Sequence, residues 1–295
     1  MPAPAAVAEG ATELALQLGG GSPAWQAAAI TTASDVLAGW AERPFTAAGA
    51  THSVYRKGSG PGVVLLPEAP GMTPEVVGFG ERLVAAGFTV AVPSLFGTPG
   101  RAISVPYAMS VMTRVCVSRE FAAFGRRADR PVAEYVRALA RELHAEVGGP
   151  GVGVIGMCFT GGFALAAAVE PAVLAPVASQ PSVPFPLRSR RGDVGMSDRE
   201  RDAVVARVRD EGLCAMGLRF SEDRVSPRER FDRLADLLGD GWRVIEIDSS
   251  PGNPHGIGRH EHSVLTSHDV GTPGHPVTAA NDEVLAFLRE RLAPA

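Results

Sequence analysis

The stretch Gly151-Val-Gly-Val-Ile-Gly-Met-Cys158-Phe-Thr-Gly161-Gly162 governs the reading of the whole chain. Val152–Ile155 is a short apolar, β-branched run, and Phe163–Val169 has the composition of a helix. Few residues separate the two, so a strand passes almost at once into a helix, with Cys158 on the turn between them. A side chain on so sharp a turn is held in strained backbone geometry, and its neighbours must be small. Gly156 lies two residues before Cys158, and Gly161 and Gly162 follow it closely. The first turn of a helix favours negative charge, which suits a thiolate nucleophile. Two other readings compete. Gly151, Gly153 and Gly156 have the G-x-G-x-x-G spacing of dinucleotide sites, but they fall before and within the strand, not on the loop after it. An inert buried cysteine in a Gly-rich turn is the simpler alternative.

Outward from that turn, apolar runs alternate with helical patterns. The runs are Ser53–Arg56, Val63–Leu66, Phe88–Val92, Val152–Ile155, Leu174–Ser179, Leu213–Leu218 and Trp242–Asp248. Several are apolar at consecutive positions, as strands covered on both faces are. Helix starts are marked by Thr73-Pro74, by Pro131, by Ser197-x-x-Glu200 and by Ser226-Pro227-x-Glu229, the last two as capping boxes. Val136, Leu139 and Leu143 form one stripe, and Val284, Leu288 and Leu292 form another. Such alternation predicts an α/β fold with a mostly parallel, open sheet and helices on both faces. The irregular segment Pro93–Arg130 breaks the regularity that a barrel requires. Residues 1–50 are Ala-rich and read as an N-terminal extension, partly helical from Ser22-Pro23 to about Trp40. Residues 51–295 read as the main domain.

A nucleophile needs a base, and the base needs an orienting group. After Leu213–Leu218 comes Arg-Phe-Ser-Glu222-Asp223-Arg-Val-Ser-Pro227, which places Asp223, with Glu222 as its competitor, at the sheet's C-terminal edge. After Trp242–Asp248, a Gly/Pro-rich loop offers His255, His260 and His262. The order nucleophile, acid, histidine is that of α/β-hydrolases.

With 295 residues, 45% hydrophobic and 20% charged, the chain can bury a substantial core. A net charge of −4 gives no general basic excess for nucleic acid. Met1–Gly10 has no Lys or Arg for a secretory leader, and no apolar stretch is long enough to span a membrane. Three cysteines make no disulfide framework, which suits reduced thiols in the cytoplasm. Cys116 and Cys214 read as packing residues.

Taken together, these motifs resemble the dienelactone hydrolases over about residues 50–292. The resemblance rests on Leu66-Pro-Glu68-Ala-Pro-Gly71 after the first core strand, the Cys158 turn, Asp223-x-Val225-x-Pro227, and His262-Ser263 after the last strand. It implies an α/β-hydrolase fold and cleavage of an ester or lactone through an acyl-enzyme, with no metal or organic cofactor and a small-molecule partner. Cys158 would be the nucleophile, His262 the base and Asp223 its orienting acid. Glu68 would contact the resting thiol, and the N–H groups of Phe159 and Ala69 would form the oxyanion hole. An arginine would hold a substrate carboxylate, Arg119 in preference to Arg101 and Arg114. Segment 181–212 lies where such folds insert a cap. Three departures from the family pattern stand out: Thr160 where a glycine is usual, Glu261 before the histidine, and the additional N-terminal residues. Two alternatives belong to other classes: a metal-dependent hydrolase using the 255–269 histidine cluster, and a non-catalytic binding protein on the same fold.

Overall fold

A computed structural model describes residues 33–116, 131–182 and 191–294. The strands are β1 (Ala41–Ala47), β2 (Ala50–Lys57), β3 (Gly62–Leu66), β4 (Thr89–Pro93), β5 (Val152–Met157), β6 (Val173–Ser179), β7 (Ala215–Phe220) and β8 (Trp242–Ile247). The helices of seven or more residues are α1 (Pro74–Ala85), α2 (Val105–Cys116), α3 (Pro131–Val147), α4 (Gly161–Ala167), α5 (Asp198–Glu211), α6 (Arg228–Leu238) and α7 (Pro276–Leu292). The strands form one sheet in the order β1-β2-β4-β3-β5-β6-β7-β8. The pairs β1–β2 and β2–β4 are antiparallel, and from β4 to β8 every pair is parallel.

The consecutive apolar residues of the central strands serve two cores. Val64 and Leu66 of β3 and Val152 and Val154 of β5 join the cluster beneath α3, α4, α5 and α6. Val63, Leu65, Ile155 and Met157 face the other way, into the cluster with α1 and α7. Alternate side chains of a strand point to opposite faces, so a strand covered on both sides must be apolar throughout. The helix stripes meet these faces: Val136, Leu139 and Leu143 on one, and Val284, Leu288 and Leu292 on the other.

Several expectations need correction. The sheet begins at Ala41, ahead of the anticipated start at residue 51, because Ala41–Ala47 pairs with β2 residue by residue. This edge strand is mostly exposed and contains Pro44, so it carries no apolar signature. Ser22-Pro23 lies outside the described residues. The segment Pro93–Arg130 contains α2, whose Ala108, Val111 and Met112 are buried. Strand β7 is displaced two residues from Leu213–Leu218, since buried Arg219 continues it where charge appears to end an apolar run. Within the segment expected as a cap, residues 183–190 lie outside the described residues, and Asp198–Glu211 form α5, a crossover helix between β6 and β7. Its Val204 is in the core, and its Arg207 guanidinium donates to the carbonyls of Ala168, Glu170, Pro171 and Val173. The Ser197–Glu200 capping box forms, but the one expected at Ser226 does not: Pro227 is the N-cap, and the Ser226 amide is taken by Asp223.

Candidate active site

Strand order reverses between β3 and β5: the chain runs outward to β4 on one side and to β6, β7 and β8 on the other. Side chains at the C-terminal ends of strands around such a switch point share one crevice. Here those ends supply Glu68 after β3, Cys158 after β5, Gln180 and Ser182 after β6, Asp223 after β7 and His262 after β8.

Cys158 has φ +55, a left-handed conformation that costs a non-glycine residue energy. The surroundings leave the turn no room to relax. A Cβ on Gly156 would stand 2.3 Å from the Thr160 carbonyl oxygen, and one on Gly161 would stand 2.9 Å from the Pro181 Cα. Thr160, which departs from the family pattern, secures the turn. Its hydroxyl accepts from the Met157 N–H at 2.9 Å and lies within hydrogen-bond reach of the carbonyls of Met157, Leu66 and Pro67. The last two belong to the end of β3. Leu66 pairs with Gly156 across β3 and β5, and Ala69 and Phe159 each follow three residues further on.

Asp223 and His262 meet, though 39 residues separate them: the ring Nδ1 is 2.6 Å from Asp223 Oδ2. The other carboxylate oxygen accepts from the amides of Val225 and Ser226 at 2.9 and 3.1 Å, which fixes the acid's orientation. Both side chains are buried. Burial works against a charged imidazole, but Asp223 and Cys158 facing the ring outweigh it and hold His262 well above the ordinary histidine range. His262 Nε2 is buried and has no partner of good hydrogen-bond geometry among the described residues, while Cys158 still acts on the ring as a charged, hydrogen-bonding neighbour. Glu222 is exposed and donates its amide to Ser249, so it does not compete with Asp223. His255 and His260 are also exposed, and the ring of His255 packs edge-on against His275.

Glu68 is buried, and its hydrogen bonds go to partners other than the thiol. It accepts from Ser263 Oγ at 2.8 Å, from Gln180 Nε2 at 3.0 Å and from the Thr266 hydroxyl. Among the described residues no hydrogen bond joins it to Cys158; the expected contact is replaced by one between Cys158 Sγ and Ser182 Oγ at 3.5 Å. Burial pushes the Glu68 carboxyl up, against the pull of its three donors and of His262. Gln180 also accepts from the Val264 amide, so it connects Glu68 to the histidine loop. Gln180, Ser182 and Thr266 carry no sequence signal of their own. Only Ser263 could have been noticed, as the neighbour of His262.

Phe159 also lines a cavity of about 500 Å³, together with Phe96, Tyr107, Phe163, Arg101 and Arg114. The Arg101 guanidinium lies 4.2 Å from the Tyr107 ring centroid. Arg119 lies outside the described residues, as does the side chain of Cys116. Cys214 is a buried free thiol in the apolar core. Among the described residues no three His, Cys, Asp or Glu side chains stand close enough to share a metal ion. No described helix is long and apolar enough to cross a membrane.

No curated protein matches this sequence. Solved structures do resemble it in three dimensions. A protein from Klebsiella pneumoniae subsp. pneumoniae named as a candidate dienelactone hydrolase superposes with TM-score 0.60 at 15% identity, covering 85% of this chain and 98% of that one. A dienelactone hydrolase-like promiscuous phosphotriesterase from metagenomic libraries gives 0.59 at 19% identity, covering 86% and 98%. The dienelactone hydrolase from Anabaena variabilis gives 0.53 at 16%, covering 86% and 99%. At such identities the likeness establishes the α/β-hydrolase fold. The family assignment comes from the sequence itself: residues 49–192 match the profile of the dienelactone hydrolase family. That segment, just under half of the chain, holds the Glu68 turn and the Cys158 elbow, so over it the chain matches the dienelactone hydrolase family on an α/β-hydrolase fold.

Proposed function

We propose that this hydrolase cleaves a carboxylic ester or lactone through an acyl-enzyme on Cys158. The observation that carries this reading is the buried Asp223–His262 pair, 2.6 Å apart, at the same sheet edge as the strained Cys158. The thiol proton resides on His262 Nε2 in the charged pair that Asp223 favours, and the thiolate attacks the carbonyl carbon. As the C–S bond forms, the carbonyl π electrons move to oxygen, where the amides of Ala69 and Phe159 would stabilise the charge. Collapse breaks the C–O bond, and the alkoxide takes the proton from His262. Water, deprotonated by His262, then attacks the thioester and releases the acid and the thiol. Asp223 holds the ring with Nε2 toward the sulfur and stabilises its charged form. Every proton is carried by these side chains, so the scheme includes no metal or organic cofactor.

The cavity beside Phe159 suggests the kind of substrate. Its aromatic wall suits a flat, apolar acyl or aryl group, and Arg101 and Arg114 suit an anionic substituent. Arg119, first expected in that role, lies outside the described residues. A panel of lactones and aryl esters, with and without a carboxylate, assayed against wild type and Cys158→Ala tests the proposal. Turnover that disappears in Cys158→Ala supports it. An undiminished rate in that variant contradicts it.

A further inference from the structure

We infer that Ser182 is a further catalytic residue, a hydroxyl that holds the nucleophilic sulfur in both of its protonation states. This rests on the reading of Cys158 as nucleophile. The Ser182 Oγ lies 3.5 Å from Cys158 Sγ, and both residues are buried. Its position is fixed independently of the sulfur. The Ser182 amide donates to the Cys158 carbonyl at 3.0 Å, and its own carbonyl accepts from Arg230 Nη1 at 2.7 Å. Arg230 is fully buried and also donates to the carbonyls of Pro181 and Val194. The hydroxyl is therefore held against the sulfur by its backbone on both sides, while its hydrogen stays free to rotate.

Two observations give that hydroxyl a task. Glu68, the acid expected at the thiol, is taken up by Gln180, Ser263 and Thr266. His262 Nε2 has no partner of good hydrogen-bond geometry among the described residues. Among the described residues the sulfur's hydrogen bond of good geometry goes to Ser182, and in the thiol form the S–H donates to Oγ. When that proton moves to His262 Nε2, the thiolate can no longer donate. The Ser182 O–H then turns and donates to it, as a charge-assisted bond in a water-poor site. One rotor thus serves both states of the sulfur without displacing the backbone.

The test compares wild type with Ser182→Ala, Ser182→Thr and Ser182→Val. The rate of Cys158 alkylation by iodoacetamide is followed against pH by peptide mass spectrometry, and kcat and KM are measured on an ester that wild type cleaves. Loss of one hydrogen bond to a charged group predicts an alkylation rate at pH 6 lower by on the order of tenfold in Ser182→Ala. Its pH midpoint should move up, kcat should fall in proportion, and KM should stay within about twofold. Thr and Val have nearly the same volume and differ in the hydroxyl, so Thr should recover most of the rate and Val should not. That pair carries the comparison if Ser182→Ala folds poorly. A wild-type pH profile in a folded Ser182→Ala overturns the inference, as does equal impairment of Thr and Val. Failure of the nucleophile reading would appear separately, as full activity in Cys158→Ala with Ser182 intact.

Discussion

At the scale of single residues, two buried groups make stability depend on pH in the same direction. Burial raises the folded-state value of Glu68 above its ordinary 4.5, and Asp223 with Cys158 raises that of His262 above 6.5. A group with a raised folded value contributes stability that is full below its unfolded value and is lost as pH rises through its folded one. Thermal melts should therefore show stability declining from above the carboxylate range upward. Glu68→Gln should remove the lower part of that decline and His262→Gln the upper part; identical slopes in all three proteins would refute the assignment. The three loop histidines separate by activity. His262→Gln should lower kcat by on the order of 10²–10⁴, the usual worth of a general base. His255→Gln and His260→Gln, both exposed, should each cost less than about tenfold. The pairing of Asp223 with His262 was legible from their positions after the sixth and seventh predicted runs. Glu68's true partners were not, because Gln180 and Thr266 reach it from 112 and 198 residues away in sequence and belong to no motif.

At the scale of elements, the β5–α4 turn was readable because steric demand writes itself as glycine. The residues that secure it leave no such mark. Thr160 stands where a glycine is usual, and its hydroxyl fastens the elbow to the end of β3, joining the two loops from which Ala69 and Phe159 project. Thr160→Val keeps the volume but leaves the buried Met157 amide without an acceptor. Chemical denaturation should register a loss of about 1–3 kcal/mol, and kcat should fall with KM nearly unchanged. No change in either would mean that the fastening is dispensable. The central strands were legible because burial on both faces demands continuous apolar residues. Strand β1 was hidden for the converse reason: an exposed edge strand satisfies its backbone on one side only and needs no apolar face. Ser226 was misread as a helix cap because sequence cannot show that the Asp223 carboxylate takes its amide.

At the scale of the whole molecule, the sheet gathers side chains from five strand ends, and a cavity shares Phe159 with that site. If Arg101 and Arg114 recognise an anionic substituent, replacing either with Gln should raise KM for a carboxylate-bearing ester by about tenfold or more, the cost of one charged hydrogen bond. KM for its neutral analogue should hardly move; equal effects on both substrates would remove these arginines from recognition. The histidine loop offered a metal site in sequence, but folding buries His262 against Asp223 and leaves His255 and His260 outside. Exhaustive chelation should accordingly leave the rate unchanged, and loss of activity restored by zinc would reinstate the metal reading. The central claim, a covalent acyl group on Cys158, is tested most directly by rapid acid quench during turnover of an activated aryl ester, followed by mass spectrometry of the Cys158 peptide. The account predicts a mass increase equal to the acyl group on that cysteine, formed before steady state and absent in Cys158→Ala. Steady turnover with Cys158 unmodified at every time, and with activity surviving in Cys158→Ala, would contradict it.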